Sequence, residues 1–160
     1  MSGNVKPIPE GYPVLTPYLI VNDGAAAIDF YERAFGAKLR MRLGGPGGKI
    51  GHAELAVGNG LIMLADEHPE MGARGPHTIG GSPVILHLYV ADADAVVQRA
   101  VEAGATISRP VENAFYGDRT GMITDPFGHA WSVATHVEDV TPQEIERRAA
   151  AMAQRAGNTT

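Results

Sequence analysis

The chain states one plan twice. Residues 18–37, "YLIVNDGAAAIDFYERAFGA", and residues 87–105, "HLYVADADAVVQRAVEAGA", each run from an apolar strand ending in Val, through an Asp and an Ala-rich stretch, to Gly-Ala. Asn22 or Asp23 in the first copy and Asp92 in the second stand where a helix N-cap accepts backbone N–H bonds. Gly36 and Gly104 stand where a helix can end in the left-handed conformation. Between these caps Ile28, Tyr31 and Phe35, and then Val97, Ala100, Val101 and Gly104, recur at spacings of three and four. Each predicted helix therefore carries one core-facing stripe and needs a sheet beneath it.

Three strand-like segments broken by glycines follow each helix. In the first copy they are "AKLRMRL", "KIGHAELAV" and "LIMLAD", with turns at Gly44–Gly48 and at Asn59–Gly60, a strong hairpin signal. In the second they are "TISRPV", "TGMITD" and "HAWSVATH", the last preceded by the turn Pro126–Phe127–Gly128. The repeat unit is β-α-β-β-β, an α+β arrangement, with modules at residues 12–66 and 83–137 of a single domain spanning residues 1–160. Residues 67–82, rich in Gly, Pro and His and without periodicity, read as a linker able to cover a pocket. Residues 141–156 form an extra C-terminal helix. It opens on Thr141, Pro142 and Glu144 as a capping box, and Ile145, Ala149, Met152 and Ala153 give it a narrow apolar side.

Composition removes several kinds of function. With no cysteine, the chain has no disulfide, thiolate metal site or cysteine nucleophile, and it suits a reducing cytoplasm. The 13 Lys and Arg are scattered in a chain of net charge -5, so nucleic acid is not an expected partner. No run of about 20 apolar residues suggests a membrane span, and the opening "MSGNVKPIPEGYPVL" reads as a short flexible lead rather than a secretory signal.

The duplicated unit, with "AIDFYERAFGA" in the first helix and "DPFGHAW" before the last strand, resembles the vicinal-oxygen-chelate superfamily of glyoxalases, bleomycin-resistance proteins and extradiol dioxygenases. "GHAELAVGNGLIMLADE", "YGDRTGMITDPFGHAWSVATH" and "VEDVTPQEIERR" are similar to its PhnB-like branch. The resemblance implies that the two modules' sheets join into a cup-shaped mixed sheet, that the protein is a homodimer, and that a small molecule binds in the cup. It also implies a place for a metal. Metal-dependent members carry one His, Gln or Glu on each of four strands. Counting from the Asp before each helix and from each hairpin glycine, those positions are Thr16, Leu64, Ile85 and Ser132. None is a usual ligand, so no metal is expected there.

Strand alternation sorts the remaining candidates by face. Tyr18, His52, Glu54, His87, Tyr89 and Ser132 fall on the predicted cavity side, with Tyr116 and Arg119 nearby as ligand-binding candidates. His136 shares that side near the rim, whereas His129 and Trp131 have core parity. Two readings stay open. In one, the protein binds a small molecule without turnover and needs no cofactor. In the other, it is a metal-dependent lyase, isomerase or dioxygenase in which His52, Glu54 and His87 hold a divalent ion, with His87 and Glu54 as acid–base candidates. A plainer alternative makes His52 and Glu54 a solvated polar pair, His87 a hydrogen-bonded wall residue, and Arg119 with Asp118 a structural ion pair in a turn.

Overall fold

Each Asp of the repeated plan begins a helix, and each helix lies on a sheet of its own. The computed structural model describes residues 3–159. They divide into two compact units: residues up to Ser82 together with Pro126–Gly128, and Pro83–Asp125 together with the residues from His129 onward.

In the first unit the chain runs β1 (Tyr18–Val21), α1 (Gly24–Phe35), β2 (Lys38–Gly44), β3 (Ile50–Val57) and β4 (Gly60–Asp66). The sheet order is β1-β4-β3-β2, with β1 parallel to β4 and the other pairs antiparallel. Asp23 is the N-cap, its carboxylate accepting from Ala26 N at 3.0 Å, and α1 ends at Gly36 with φ 66°. Ala27, Ile28, Phe30, Tyr31 and Ala34 of the helix are buried with Leu19, Val21, Ala53, Leu55 and Leu64 of the sheet. Each large apolar side chain removed from water contributes roughly 1.5–3 kcal/mol, which holds the helix to the strands. Phe127 belongs to this unit and meets Phe30 edge-on at 6.2 Å.

The segment read as an unpatterned linker has local order. A 3-10 turn at Pro69–Met71 is followed by α2 (Pro76–Ile79), a single turn of helix. Glu67, just beyond β4, accepts from Gly75 N at 2.6 Å and from the Thr78 hydroxyl, and those two bonds, Thr78 first, hold its carboxyl below the usual range. Local acceptors rather than a periodic apolar stripe order this stretch, which is why periodicity does not reveal it.

The second unit repeats the topology: β5 (Ile85–Tyr89), α3 (Ala93–Glu102), β6 (Thr106–Asn113), β7 (Asp118–Thr124) and β8 (Ala130–His136), in sheet order β5-β8-β7-β6. Its helix buries Ala93, Val96, Val97 and Ala100, while Val101 is 40% exposed. The expected stripe thus keeps Val97 and Ala100 but starts four residues earlier: the buried i, i+3, i+4, i+7 set begins at Ala93, and Val101 lies about 100° round from Ala100. Trp131, Ile123 and Val133 form the buried side of the sheet, and the indole N–H donates to the buried Asp125 carboxylate at 2.9 Å. His129, expected in the core, is half-buried at the hairpin, outside β8.

The last helix, α4 (Pro142–Gly157), is capped by Thr141, whose hydroxyl accepts from Glu144 N. It is anchored by charge more than by burial. Arg148 donates to Glu138 at 2.8 and 3.0 Å and to the Phe115 carbonyl, and no residue of α4 is fully buried. No helix among the described residues is long and apolar enough to cross a membrane.

Candidate functional site

The sheet face turned away from α1 carries a connected polar chain. Tyr18 is paired with Met63, and Met63 with Glu54, so β1, β4 and β3 bring these side chains to one face while Leu19, Leu64 and Ala53 take the other. The Tyr18 hydroxyl lies 2.8 Å from His52 Nδ1, and His52 Nε2 lies 3.0 Å from Glu54 Oε1. Tyr12, from the chain before β1, donates its hydroxyl to Glu54 Oε2 at 2.7 Å. Glu54 is only 4% exposed. The His52 bond first, and then the Tyr12 bond, hold its carboxyl below the ordinary range against the opposing effect of burial. His52 and Glu54 are thus part of a buried-to-surface network rather than a solvated pair.

Beside this chain the first unit forms a half-open cavity of about 680 Å³. Tyr18 and Ile20 of β1, the β2–β3 hairpin tip around Lys49, and the stretch from Glu67 to Met71 line it. The linker therefore forms part of a pocket wall. Two acidic groups in that wall are already committed: Asp66 accepts from Gly24 N at 2.8 Å and Ile50 N at 2.6 Å, and Glu67 holds the linker as described.

The second unit gathers a different set. His87 Nδ1 is 3.0 Å from the Ser132 hydroxyl, which lies 3.4 Å from that of Thr120, and the His87 ring stands edge-on to Tyr89 at 4.6 Å. Tyr89 donates to Asp118 at 2.6 Å, and His136 Nδ1 reaches the other Asp118 oxygen at 2.8 Å. His136 Nε2 is 2.8 Å from the exposed Asp139. Burial pushes the Asp118 carboxyl up, but the Tyr89 and His136 bonds outweigh it and leave it below the ordinary value. Tyr89, Tyr116, Asp118 and His136 line a hollow of about 390 Å³.

Arg119 stands apart from both networks. It grips Asp94 of α3 with two bonds, at 2.6 and 2.9 Å, and also donates to Asn113. The expected pairing with Asp118 does not form, because Asp118 and Arg119 are consecutive residues of β7 and point to opposite faces. Residue pattern alone also gives no sign of Tyr12, which lies in the lead expected to be flexible, or of Asp118 as a buried acceptor, since the strand begins earlier than the alternation suggests.

The four positions at which the resemblance places metal ligands can be tested on their donors. Leu64 is fully buried on the helix-facing side, paired with Leu19 and Ala53, so it cannot face the cavity. The count from hairpin glycines fails because the two hairpins differ by one residue: Val57 pairs with Gly60, whereas Asp125 N bonds His129 O around a three-residue turn. The residue in register with Tyr18, as Ser132 is with His87, is Met63. Thr16, Met63, Ile85 and Ser132 offer one thioether and two hydroxyls, and the Ser132 hydroxyl is engaged by His87. This set does not fit a divalent ion of the glyoxalase kind. Nor does either unit alone assemble His52, Glu54 and His87. Among the described residues no group of three or more His, Asp or Glu side chains is placed to hold a metal.

Two four-stranded mixed sheets built on a repeated βαβββ plan, each with one polar face, define a class. The chain belongs to the glyoxalase/bleomycin resistance protein/dioxygenase superfamily, whose family model matches residues 13–133. An uncharacterized protein of Mycobacterium bovis is 46% identical over 137 residues, covering 84% of this chain and 90% of its own. Among solved structures, TioX from Micromonospora sp. ML1 is 29% identical with a TM-score of 0.61, over 77% of this chain and 98% of that one. The protein PA1353 from Pseudomonas aeruginosa is 30% identical with a TM-score of 0.61, over 78% and 98%.

Proposed function

We propose that the protein binds a small molecule in the cavity of its first unit, as a member of the PhnB-like branch in which the superfamily's metal quartet is not preserved. One observation carries the reading. A cavity of about 680 Å³ is walled by the hairpin tip, the linker and Tyr18, and Tyr18 is the outer end of a hydrogen-bonded chain that leads to a buried carboxylate. A largely apolar space with a few oriented polar groups is the ordinary form of a ligand pocket. The family supports the reading without naming the ligand, since the fold hosts unrelated activities.

Two companions of this reading concern setting. The chain works as a homodimer, supported by α4, whose Met152 is 52% exposed on a helix with no fully buried residue. It works in the cytoplasm, supported by the absence of cysteine. Sedimentation giving only a 16.9 kDa species would refute the dimer.

The binding reading is tested by thermal shift against planar aromatic compounds and small oxo-acids, with wild type and Ile20→Trp compared. At least one compound should raise the wild-type melting temperature. The indole, placed in the cavity wall, should abolish that rise. A panel with no response in the wild type overturns the reading.

A further inference from the structure

The Tyr18–His52–Glu54 chain has a direction, and the direction specifies the ligand. Glu54, ionised at neutral pH, is an acceptor only. One of its oxygens receives the Tyr12 hydroxyl and the other receives His52 Nε2, so Nε2 carries a proton. A neutral imidazole protonated at Nε2 is an acceptor at Nδ1. In that neutral form Tyr18, 2.8 Å away, donates its hydroxyl proton to Nδ1. A phenol has one proton. With that proton committed to His52, Tyr18 offers any further partner only lone pairs. Burial, and after it the Glu54 charge, pushes the Tyr18 phenol up, which keeps the proton in place.

Resting on the binding reading above, we infer that the first unit's cavity selects ligands that present an O–H or N–H donor on an otherwise apolar body, the donor meeting the Tyr18 hydroxyl oxygen. His52 and Glu54 act as positioning residues, since they set which way the Tyr18 hydroxyl points. Of the carboxylates in the wall, Asp66 has both oxygens engaged, Glu67 has Oε1 engaged twice and Glu70 is exposed to solvent, so Tyr18 is the acceptor whose direction the network fixes. The feature also belongs to one half of the repeat. The position in register with Tyr18 in the second unit is His87, whose Nδ1 is taken up with Ser132.

The test uses the full chain and two probes with one ring body, 2-naphthol and 2-methoxynaphthalene, titrated calorimetrically. Wild type should bind 2-naphthol about tenfold more tightly, the ratio that one hydrogen bond of ordinary net strength produces. Tyr18→Phe, which keeps the ring, should bind both probes alike. Long-range proton–nitrogen NMR of the wild type should show His52 protonated at Nε2 and bare at Nδ1. Equal binding of the two probes by wild type, or an Nδ1-protonated His52, overturns the donor inference and leaves the cavity reading standing. Failure of both probes also overturns it, and the wider compound panel then decides whether the cavity reading falls too.

Discussion

Asp118 and Arg119 are consecutive in the chain and share no partner. Asp118 is 4% exposed and accepts from Tyr89 and His136, while Arg119 reaches across the other face of β7 to clamp Asp94 on α3. Alternation along a strand converts one acidic–basic dipeptide into two separate devices. One orients a cluster of titratable side chains. The other fastens a helix to its sheet.

Arg119→Gln should leave ligand affinity at the first unit's cavity unchanged and lower the melting temperature slightly. The Asp94 pair is half in solvent, where ion pairs contribute little. Scanning calorimetry checks this, and the difference should shrink further in about 1 M salt. A large loss of ligand affinity would return Arg119 to the binding machinery.

His136 should make stability depend on pH in the neutral range. Asp139 first, and Asp118 second, hold its pKa above the ordinary 6.5. A raised folded-state pKa adds stability that is fully present below the unfolded value and is lost as pH rises through the folded one. The melting-temperature deficit of His136→Gln relative to wild type is therefore expected to be largest near about pH 5 and smallest near about pH 9. An equal deficit at both ends would contradict the pairing.

Glu54 has the opposite sign. Its folded pKa is lowered, so its contribution is present above the ordinary 4.5 and disappears as pH falls through the folded value. Glu54→Gln should cost about 1–3 kcal/mol at neutral pH, because Tyr12 and His52 lose a charged acceptor in a buried setting. Urea titrations at neutral and acid pH should show the gap between variant and wild type closing below about pH 4.

Trp131→Phe should cost about 2–3 kcal/mol by circular-dichroism denaturation. The substitution removes the indole donor to the buried Asp125 carboxylate and leaves a void beside Ile123 and Val133. Trp131 is the chain's one tryptophan, so tryptophan fluorescence cannot follow the variant. A cost below about 0.5 kcal/mol would show that Asp125 needs no indole.

What proved legible along the chain is what local chemistry decides. Asp23 and Asp92 cap their helices, Gly36 ends the first at positive φ, and Thr141 caps the last, because each makes bonds within a few residues of itself. The polar parity of Tyr18, His52 and Glu54 was legible for the same reason: alternation is a property of one strand. Leu64 was misplaced because hairpin register depends on turn length, and a turn one residue longer moves a side chain to the other face.

The sequence by itself determined the repeat, the order of its strands and helices and the alternation within each strand, since these follow from caps and periodicities that reach no further than one helix or one strand. Only the tertiary structure decided the partners. Tyr12 meets Glu54 across 42 positions of chain, Tyr89 meets Asp118 across 29, and Arg119 meets Asp94 across 25. Hydrogen bonds at that separation are set by how strands stack into a sheet and where a helix crosses it. That packing turns a list of polar residues into a chain with a direction.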